Sequence, residues 1–150
     1  GDDLDKLREE KDFENIKDKF RFIPNIFLQN ESYFPNSKLI QEYNKANLYV
    51  NLARIESFGL TILEALACKL PVISFNTKGS NELVKNNYNG FLIKNNTNEM
   101  VKKILSLSHS KHKNYLKDKN FNNSVKKYDL NHISTEMLKL YKKKIKLNIN

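Results

Sequence analysis

An apolar pattern at residues 48–75 dominates the middle of the chain. Residues 48–52 predict a strand, and the almost wholly apolar segment from about Phe58 to Lys69 predicts a helix that is buried on most of its surface. Pro71 predicts the end of this helix, and the β-branched and aromatic residues 72–75 predict a buried strand. A strand, a helix and a strand in this order form the βαβ unit of a parallel sheet.

Shorter patterns on both sides predict further helices and a third strand. The predicted helices are Lys38–Lys45 after a Ser37 cap, Asn81–Lys85, Asn98–Leu107 after a Thr97 cap, and Asn131–Lys146; the strand is Phe91–Ile93. We therefore expect an α/β fold, with a Rossmann-like parallel sheet flanked by helices. We expect one domain over residues 1–150, with a basic helical segment from about 97 to 150.

The start of the central helix carries the candidate chemistry. Glu64 is the only charge within its apolar body, and a buried carboxylate is costly unless it is paired or hydrogen-bonded, so a partner is expected. Ser57 is the predicted side-chain cap, and Gly59 has no Cβ to obstruct a ligand. Because a helix that follows a parallel strand points its free N–H groups at the carboxyl edge of the sheet, a phosphate is favoured there.

This stretch resembles the donor-binding signature of glycosyltransferase family 4, the retaining enzymes of the GT-B fold. The signature is two glutamates with seven residues between them, followed by a Pro-Val-Ile strand and a glycine turn. Its counterparts here are Glu56, Phe58-Gly59-Leu60, Glu64-Ala65-Leu66-Ala67-Cys68, Pro71-Val72-Ile73, and Gly79 with Glu82-Leu83-Val84. The chain departs from the family at Lys69, where glycine is usual, and at Asn76, where aspartate is common.

The resemblance implies metal-independent, retaining transfer of a hexose-type sugar from a nucleotide sugar to a saccharide or lipid-linked acceptor, in polysaccharide or lipopolysaccharide biosynthesis. The donor would be a UDP-sugar in preference to a GDP-sugar. Glu56 would be the catalytic residue, bonded to hydroxyls of the transferred sugar, and Glu64 would accept hydrogen bonds from the ribose. The remaining donor-binding residues would be Ser57, Phe58, Gly59, Leu60 and Thr61, and the weaker candidates for the base pocket are Pro24, Asn25 and Ile26.

The resemblance also implies that the chain is a fragment. In the family, residues like Gly1-Asp2-Asp3 lie in the middle of a domain, and the Arg and Lys that neutralise the donor diphosphate lie upstream. The lobe that binds the acceptor lies upstream as well. We therefore expect the C-terminal, donor-binding lobe of a longer enzyme, which is inactive without its N-terminal lobe.

The net charge of +9 is unevenly distributed. Residues 101–150 carry thirteen lysines against Asp118, Asp129 and Glu136, so that third of the chain alone holds +10. The lysines either decorate solvated helix faces or attract a polyanion such as an anionic membrane surface. Nucleic acid is not favoured as a partner, because the sequence shows no recognition helix, zinc spacing or aromatic-interleaved strand.

The remaining residue types exclude several classes of protein. The single cysteine, Cys68, rules out a disulfide framework, and the three histidines lack metal-ligand spacing, so no metal is expected. No apolar run approaches the roughly 20 residues of a spanning helix. We expect a cytoplasmic protein, peripheral at most on the inner face of the membrane. The alternatives are a non-catalytic nucleotide-binding module, or a domain that docks on a membrane or on another subunit.

Overall fold

The structure, a computed structural model, describes residues 37–109 and 118–147, and the chain divides into two compact units, Gly1–Leu39 and Ile40–Asn150. The predictions for residues 1–36, including Pro24, Asn25 and Ile26, lie outside the described residues. The described elements are α1 (Ser37–Lys45), β1 (Tyr49–Asn51), α2 (Leu60–Ala67), β2 (Val72–Phe75), α3 (Lys78–Leu83), β3 (Gly90–Ile93), α4 (Thr97–His109), α5 (Asp118–Val125), a 3₁₀ turn (Lys126–Tyr128) and α6 (Leu130–Leu147).

The sheet of the described part is parallel, with strand order β1-β2-β3. Val50 is paired with Ile73, which in turn is paired with Phe91 on the other side. Helix α2 connects β1 to β2, and α3 connects β2 to β3, so each connection is a βαβ unit. The predicted α/β architecture with a parallel sheet is confirmed.

Both faces of the sheet are covered, as parallel sheets require. One face packs with α2 and α5 in a core that includes Ile62, Leu66, Val72 and Phe121. The other face packs with α4 in a second core: Ile73, Phe75, Phe91, Ile93 and Met100. All four residues of β2 are buried, because this central strand has a neighbour on each side and a helical layer on each face.

The start of α2 differs from the prediction. Gly59 is the N-cap, with φ of 91°, and no side chain caps the helix, so the predicted Ser57 cap is wrong. The helix begins at Leu60 instead of Phe58 because a left-handed residue cannot continue into a right-handed turn. A Cβ on Gly59 would also lie 3.0 Å from Cδ1 of Ile62 and 3.2 Å from Cδ1 of Leu83. The glycine is therefore required by backbone conformation and packing.

The end of α2 is set by a left-handed residue before Pro71 is reached. Lys69 has φ of 58°, its N–H bonds the Leu66 carbonyl at 3.0 Å, and the Leu70 N–H bonds the Ala65 carbonyl at 2.9 Å. This pair of bonds is a Schellman motif, which is ordinarily completed by glycine. Lys69 thus occupies a position for which a lysine is conformationally strained.

Helix α2 is also less buried than predicted. Ile62, Ala65 and Leu66 face the core, whereas Leu60 is 66% exposed and Ala67 is exposed as well. The burial predicted from the apolar composition of α2 was therefore too high, because no described element covers one side of the helix.

Two other helices begin at positions that the prediction missed. Helix α3 begins at Lys78 instead of Asn81, because the Thr77 hydroxyl accepts from the Ser80 N–H and the Ser80 hydroxyl accepts from the Thr77 N–H. This reciprocal pair is a capping box. At α4 the Asn96 side chain, not that of Thr97, accepts hydrogen bonds from the first turn.

A buried asparagine connects the sheet to α5. Asn89 is fully buried; its oxygen accepts from the Lys85 N–H at 2.7 Å, and its Nδ2 donates to the Leu83 carbonyl at 2.9 Å and to the Ser124 hydroxyl at 2.8 Å. Because a buried amide is costly when unpaired, these bonds hold α5 in register beside the turn before β3.

Helix α6 confirms the predicted helix but carries an uncovered apolar face. The apolar side chains described on it recur at helical spacing and are substantially exposed: Leu130, Ile133, Met137, Leu138, Leu140, Tyr141 and Ile145. The Asp129 carboxylate caps its first turn by accepting from the N–H groups of Asn131 and His132. Among the residues that the structure describes, no helix is long and apolar enough to cross a membrane.

Candidate functional site

The loop between β1 and α2, residues 52–59, lies at the carboxyl edge of the sheet. Its start is held by Asn51, whose Oδ1 accepts from the Ala53 N–H at 3.1 Å. Farther along, the Arg54 guanidinium donates to Asn95, in the loop that follows β3, and lies over the Phe75 ring at 5.6 Å. The loops after β1 and β3 therefore meet at one edge, where parallel α/β sheets bind ligands.

Gly79 fixes the second half of this loop. Its N–H donates to the Glu56 carbonyl at 2.9 Å. A Cβ at this position would lie 2.7 Å from the Glu56 carbonyl oxygen and 2.7 Å from the Phe58 nitrogen. Because only glycine allows α3 to approach so closely, the conformation of the Glu56–Phe58 segment depends on the absence of a side chain at position 79.

The two side chains flanking Ser57 are half-buried. The Phe58 ring packs edge-on against Tyr128, with ring centroids 5.5 Å apart. The Glu56 carboxylate has neither a hydrogen bond nor an ion pair among the described residues. Ser57 is exposed between them, so the loop presents one acceptor, Glu56, without a partner in this part of the chain.

The Glu64 carboxylate does have a partner, as the cost of burying it predicted. The Tyr43 hydroxyl donates to Glu64 Oε2 at 3.0 Å and lies 3.5 Å from the Thr61 carbonyl oxygen. Beside it, the Tyr49 hydroxyl donates to Thr61 Oγ1 at 2.8 Å. Two tyrosines, one from α1 and one from β1, thus contact the face of α2 that carries Thr61 and Glu64.

The electrostatics of the site agree with this geometry. Burial, and next the hydrogen bond to Glu64, raise the pKa of Tyr43 well above its usual value. Burial also raises the pKa of Tyr49; its hydrogen bond to Thr61 acts against this rise, and the negative charges of Glu56 and Glu64 add to it. Burial, followed by the charge of Glu64, raises the pKa of the Cys68 thiol, which favours its protonated form.

Hydrogen-bond donors complete the site. The first turn of α2 has no side-chain cap, so its leading N–H groups have no side-chain acceptor. Nearby, the Nδ2 of the buried Asn51 has no hydrogen-bond partner within the described ranges. Carboxylates that can accept from hydroxyl groups therefore lie beside backbone N–H groups that can donate to an anion.

Comparison with known proteins identifies the family. A family model described as glycosyl transferases group 1 matches residues 1–128. This chain belongs to the group 1 glycosyl transferases.

The relatives include glycosyltransferases that act on different substrates. Over 71% of its length the chain is 33% identical to the poly(ribitol-phosphate) alpha-N-acetylglucosaminyltransferase of Staphylococcus aureus (strain COL). Over 69% it is 32% identical to the poly(glycerol-phosphate) alpha-glucosyltransferase of Bacillus subtilis (strain 168), and over 59% it is 37% identical to sucrose synthase 6 of Arabidopsis thaliana. The matched segments span 19%, 16% and 9% of these relatives, respectively.

The two glutamates on which the resemblance rests, and the residues between them, lie in the loop before α2 and on α2 itself. Glu56, Ser57 and Phe58 occupy the loop, Gly59 caps the helix, and Leu60, Thr61 and Glu64 lie on α2. Leu60 and Thr61 are exposed. The roles that the resemblance assigns to these residues remain predictions. In the described ranges, no group of His, Cys, Asp or Glu side chains could hold a metal ion.

The sequence analysis assigned neither Tyr43 nor Tyr49 to the site, and gave Gly79 only as part of a glycine turn. Tyr43 falls in the predicted helix Lys38–Lys45 and Tyr49 in the predicted strand 48–52, yet both bond to α2. The cost of burying Glu64 required a donor, and a tyrosine in the preceding helix was an available one. No local pattern could have shown that Gly79 contacts the Glu56 backbone, because the contact joins the first turn of α3 to the loop before α2.

Proposed function

We propose that this chain is the donor-binding lobe of a retaining, metal-independent glycosyltransferase that takes a hexose-type sugar from a UDP-sugar. The observation that carries the proposal is the arrangement at the carboxyl edge of the sheet. There Glu56 lies in the loop before the uncapped first turn of α2, and Glu64 lies on α2 with its carboxylate hydrogen-bonded to Tyr43. Hydroxyl-rich ligands that also carry a diphosphate match this combination of acceptors and donors.

Each group has a distinct role in this proposal. Glu56, without a partner in the described chain, accepts hydrogen bonds from the transferred sugar and is the catalytic residue, and Glu64 accepts from the ribose. The diphosphate is bound by backbone N–H groups of the segment that contains Ser57, Phe58, Gly59, Leu60 and Thr61. Catalysis then consists of orienting the donor and stabilising the leaving diphosphate as its charge develops.

The acceptor is a saccharide or a lipid-linked polymer in surface polysaccharide synthesis. Two relatives carry names in which a sugar is added to a polyol phosphate polymer, which supports this class. Because the chain spans so small a share of its relatives, we propose that transfer requires an N-terminal lobe in addition.

Calorimetric titration of UDP, GDP and ADP into the chain tests the proposal. We expect UDP to bind, and Glu64→Ala to weaken that binding by at least about tenfold because a charged acceptor is lost. Glu99→Ala is the matched control: it removes an exposed glutamate from the first turn of α4 and should leave binding unchanged. No binding of any of the three nucleotides would refute the donor site.

The basic helix α6 favours a second candidate function, docking on an anionic membrane. Its uncovered apolar face lies opposite Lys139, Lys142 and Lys143, and Glu136 is already paired with Lys139 at 2.7 Å. A helix with this distribution can lie in the plane of a membrane interface, with lysines near anionic head groups.

Vesicle co-sedimentation tests membrane docking. We expect the chain to bind mixed phosphatidylglycerol and phosphatidylcholine vesicles, not phosphatidylcholine alone, and to be released by salt. Lys143→Glu should weaken binding more than Lys102→Glu, which makes the same change of charge on α4. Equal binding to both kinds of vesicle would refute the electrostatic basis.

A further inference from the structure

The hydrogen bond between Tyr43 and Glu64 joins two elements that are far apart in sequence. Tyr43 has one hydroxyl proton, and its possible acceptors are Glu64 Oε2 at 3.0 Å and the Thr61 carbonyl at 3.5 Å. The proton belongs to the carboxylate bond, because that bond is shorter and its acceptor is charged.

Tyr43 is held firmly enough to direct this bond. Its ring packs against the core cluster that contains Ile62 and Leu66, and it lies edge-on to Tyr49 with centroids 6.0 Å apart. Burial and the neighbouring carboxylate keep the phenol protonated through the neutral pH range. The hydroxyl is therefore a donor whose direction is set by the packing of its ring against the core and against Tyr49.

This contact leaves the two oxygens of Glu64 in different situations. Oε2 is occupied by Tyr43, while Oε1 has no partner among the described residues. The Thr61 hydroxyl, one turn earlier, accepts from Tyr49, so its own proton is available to donate. The two tyrosines thus fix one side of this polar face and leave one acceptor and one donor for a ligand.

We propose that Tyr43 is a positioning residue, which holds the Glu64 carboxylate so that its second oxygen accepts hydrogen bonds from the ribose hydroxyls of a nucleoside diphosphate. This inference rests on the proposed donor site and extends it to a residue outside the signature. Tyr43 acts through Glu64 and does not touch the nucleotide.

The test compares UDP with 2′,3′-dideoxyuridine diphosphate, which lacks both ribose hydroxyls, in calorimetric titrations of the whole chain. The unaltered chain should prefer UDP. Tyr43→Phe keeps the ring and its packing but removes the hydroxyl, and we expect it to lower the affinity for UDP about tenfold. Its affinity for the dideoxy analogue should stay the same, because that ligand makes no use of the oriented carboxylate.

Tyr88→Phe is the matched control, since it removes a phenol hydroxyl that accepts from Asn123 and lies outside the proposed site. It should produce no loss of affinity that depends on the ribose hydroxyls. Thermal unfolding of both variants, followed by circular dichroism, checks that each is folded at the titration temperature.

Three results would overturn the inference, and they are distinguishable. If the unaltered chain binds UDP and Tyr43→Phe binds it equally well, the positioning role fails while the donor site stands. If Tyr43→Phe loses affinity for both ligands equally, Tyr43 is structural only. If the unaltered chain binds UDP, GDP and ADP not at all, the proposed donor site fails and the positioning role fails with it.

Discussion

Helices α2 and α6 both carry apolar side chains at helical spacing, but their surroundings are opposite. The eight residues of α2 place Ile62, Ala65 and Leu66 in the core with almost no exposure. None of the apolar side chains that the structure describes on α6 (Leu130–Leu147) lies there, and Leu140 and Tyr141 are 64% and 60% exposed. The difference lies in what is adjacent: α2 is flanked in sequence by the strands that cover it. An apolar stripe thus shows which side chains a helix can bury. Whether another element covers that stripe depends on the rest of the chain.

Core truncations should show the largest contrast between the two helices. We expect Ile62→Ala to lower the free energy of unfolding by about 2–5 kcal/mol, because it leaves a cavity in a fully buried site. Met137→Ala, at a residue 47% exposed, should change it by no more than about 0.5 kcal/mol. Urea denaturation of both variants measures the difference. A large loss at Met137 would mean that the α6 face is covered in solution.

The loop beside α2 should be nearly as intolerant of added volume. Gly79→Ala places a methyl group against the backbone of Glu56 and Phe58, and we expect it to cost about 1–3 kcal/mol. It should also weaken nucleotide binding, since the segment that carries Glu56 must shift. Asn81→Ala, at an exposed position of α3, is the control. Unfolding and titration curves that match the unaltered chain would contradict the close approach.

A glycine substitution should change stability in opposite directions at the end of α2 and in the body of α6. Lys69→Gly relieves a left-handed conformation and should stabilise the fold by about 1 kcal/mol. Lys143→Gly, inside a regular helix, should destabilise α6 by roughly 0.5–1 kcal/mol. Lys69→Ala removes the side chain but retains the strain, so it should not reproduce the gain. A destabilised Lys69→Gly variant would show that the side chain matters more than its φ.

The smallest effect concerns alkaline pH. Folding raises the pKa of Tyr43 above the value of about 10 expected in the unfolded chain. Tyr43 therefore contributes stability that is fully present below about pH 10 and is lost as the pH rises through the higher folded value. Urea denaturation should show the stability difference between the unaltered chain and Tyr43→Phe shrinking above about pH 10. A difference that grows with pH would contradict the direction of the shift.

Much of the fold could be predicted because its signals are local. Neighbouring residues are enough to predict three features: the βαβ pattern around α2, the buried strand Val72–Phe75, and the need of Glu64 for a partner. The helix boundaries were less accurate, because Gly59, Lys69 and the Thr77–Ser80 pair act through backbone dihedrals and reciprocal bonds. Ser57 has a side chain suited to capping, but the N-cap position is taken by Gly59, two residues later.

The contacts that complete the site could not be read in the same way. The bonds from Tyr43 to Glu64 and from Gly79 to Glu56 join residues 21 and 23 positions apart, each from a different element. Such pairs are determined by how the helices and loops pack on the sheet, which no local periodicity encodes. The sequence shows the residue types, but it does not show that these residues lie close together in the fold.

The buried amide of Asn89 affects how the protein responds to truncation and proteolysis. Its bond to Ser124 and the burial of Phe121 make α5 part of the same cooperative unit as the sheet, although α5 follows it by more than twenty residues. A chain shortened before Asp118 would leave that amide short of an acceptor and open the core. Helix α6, in contrast, has its described apolar side chains exposed, so within residues 118–147 a protease acting on the native protein should cut α6 before α5.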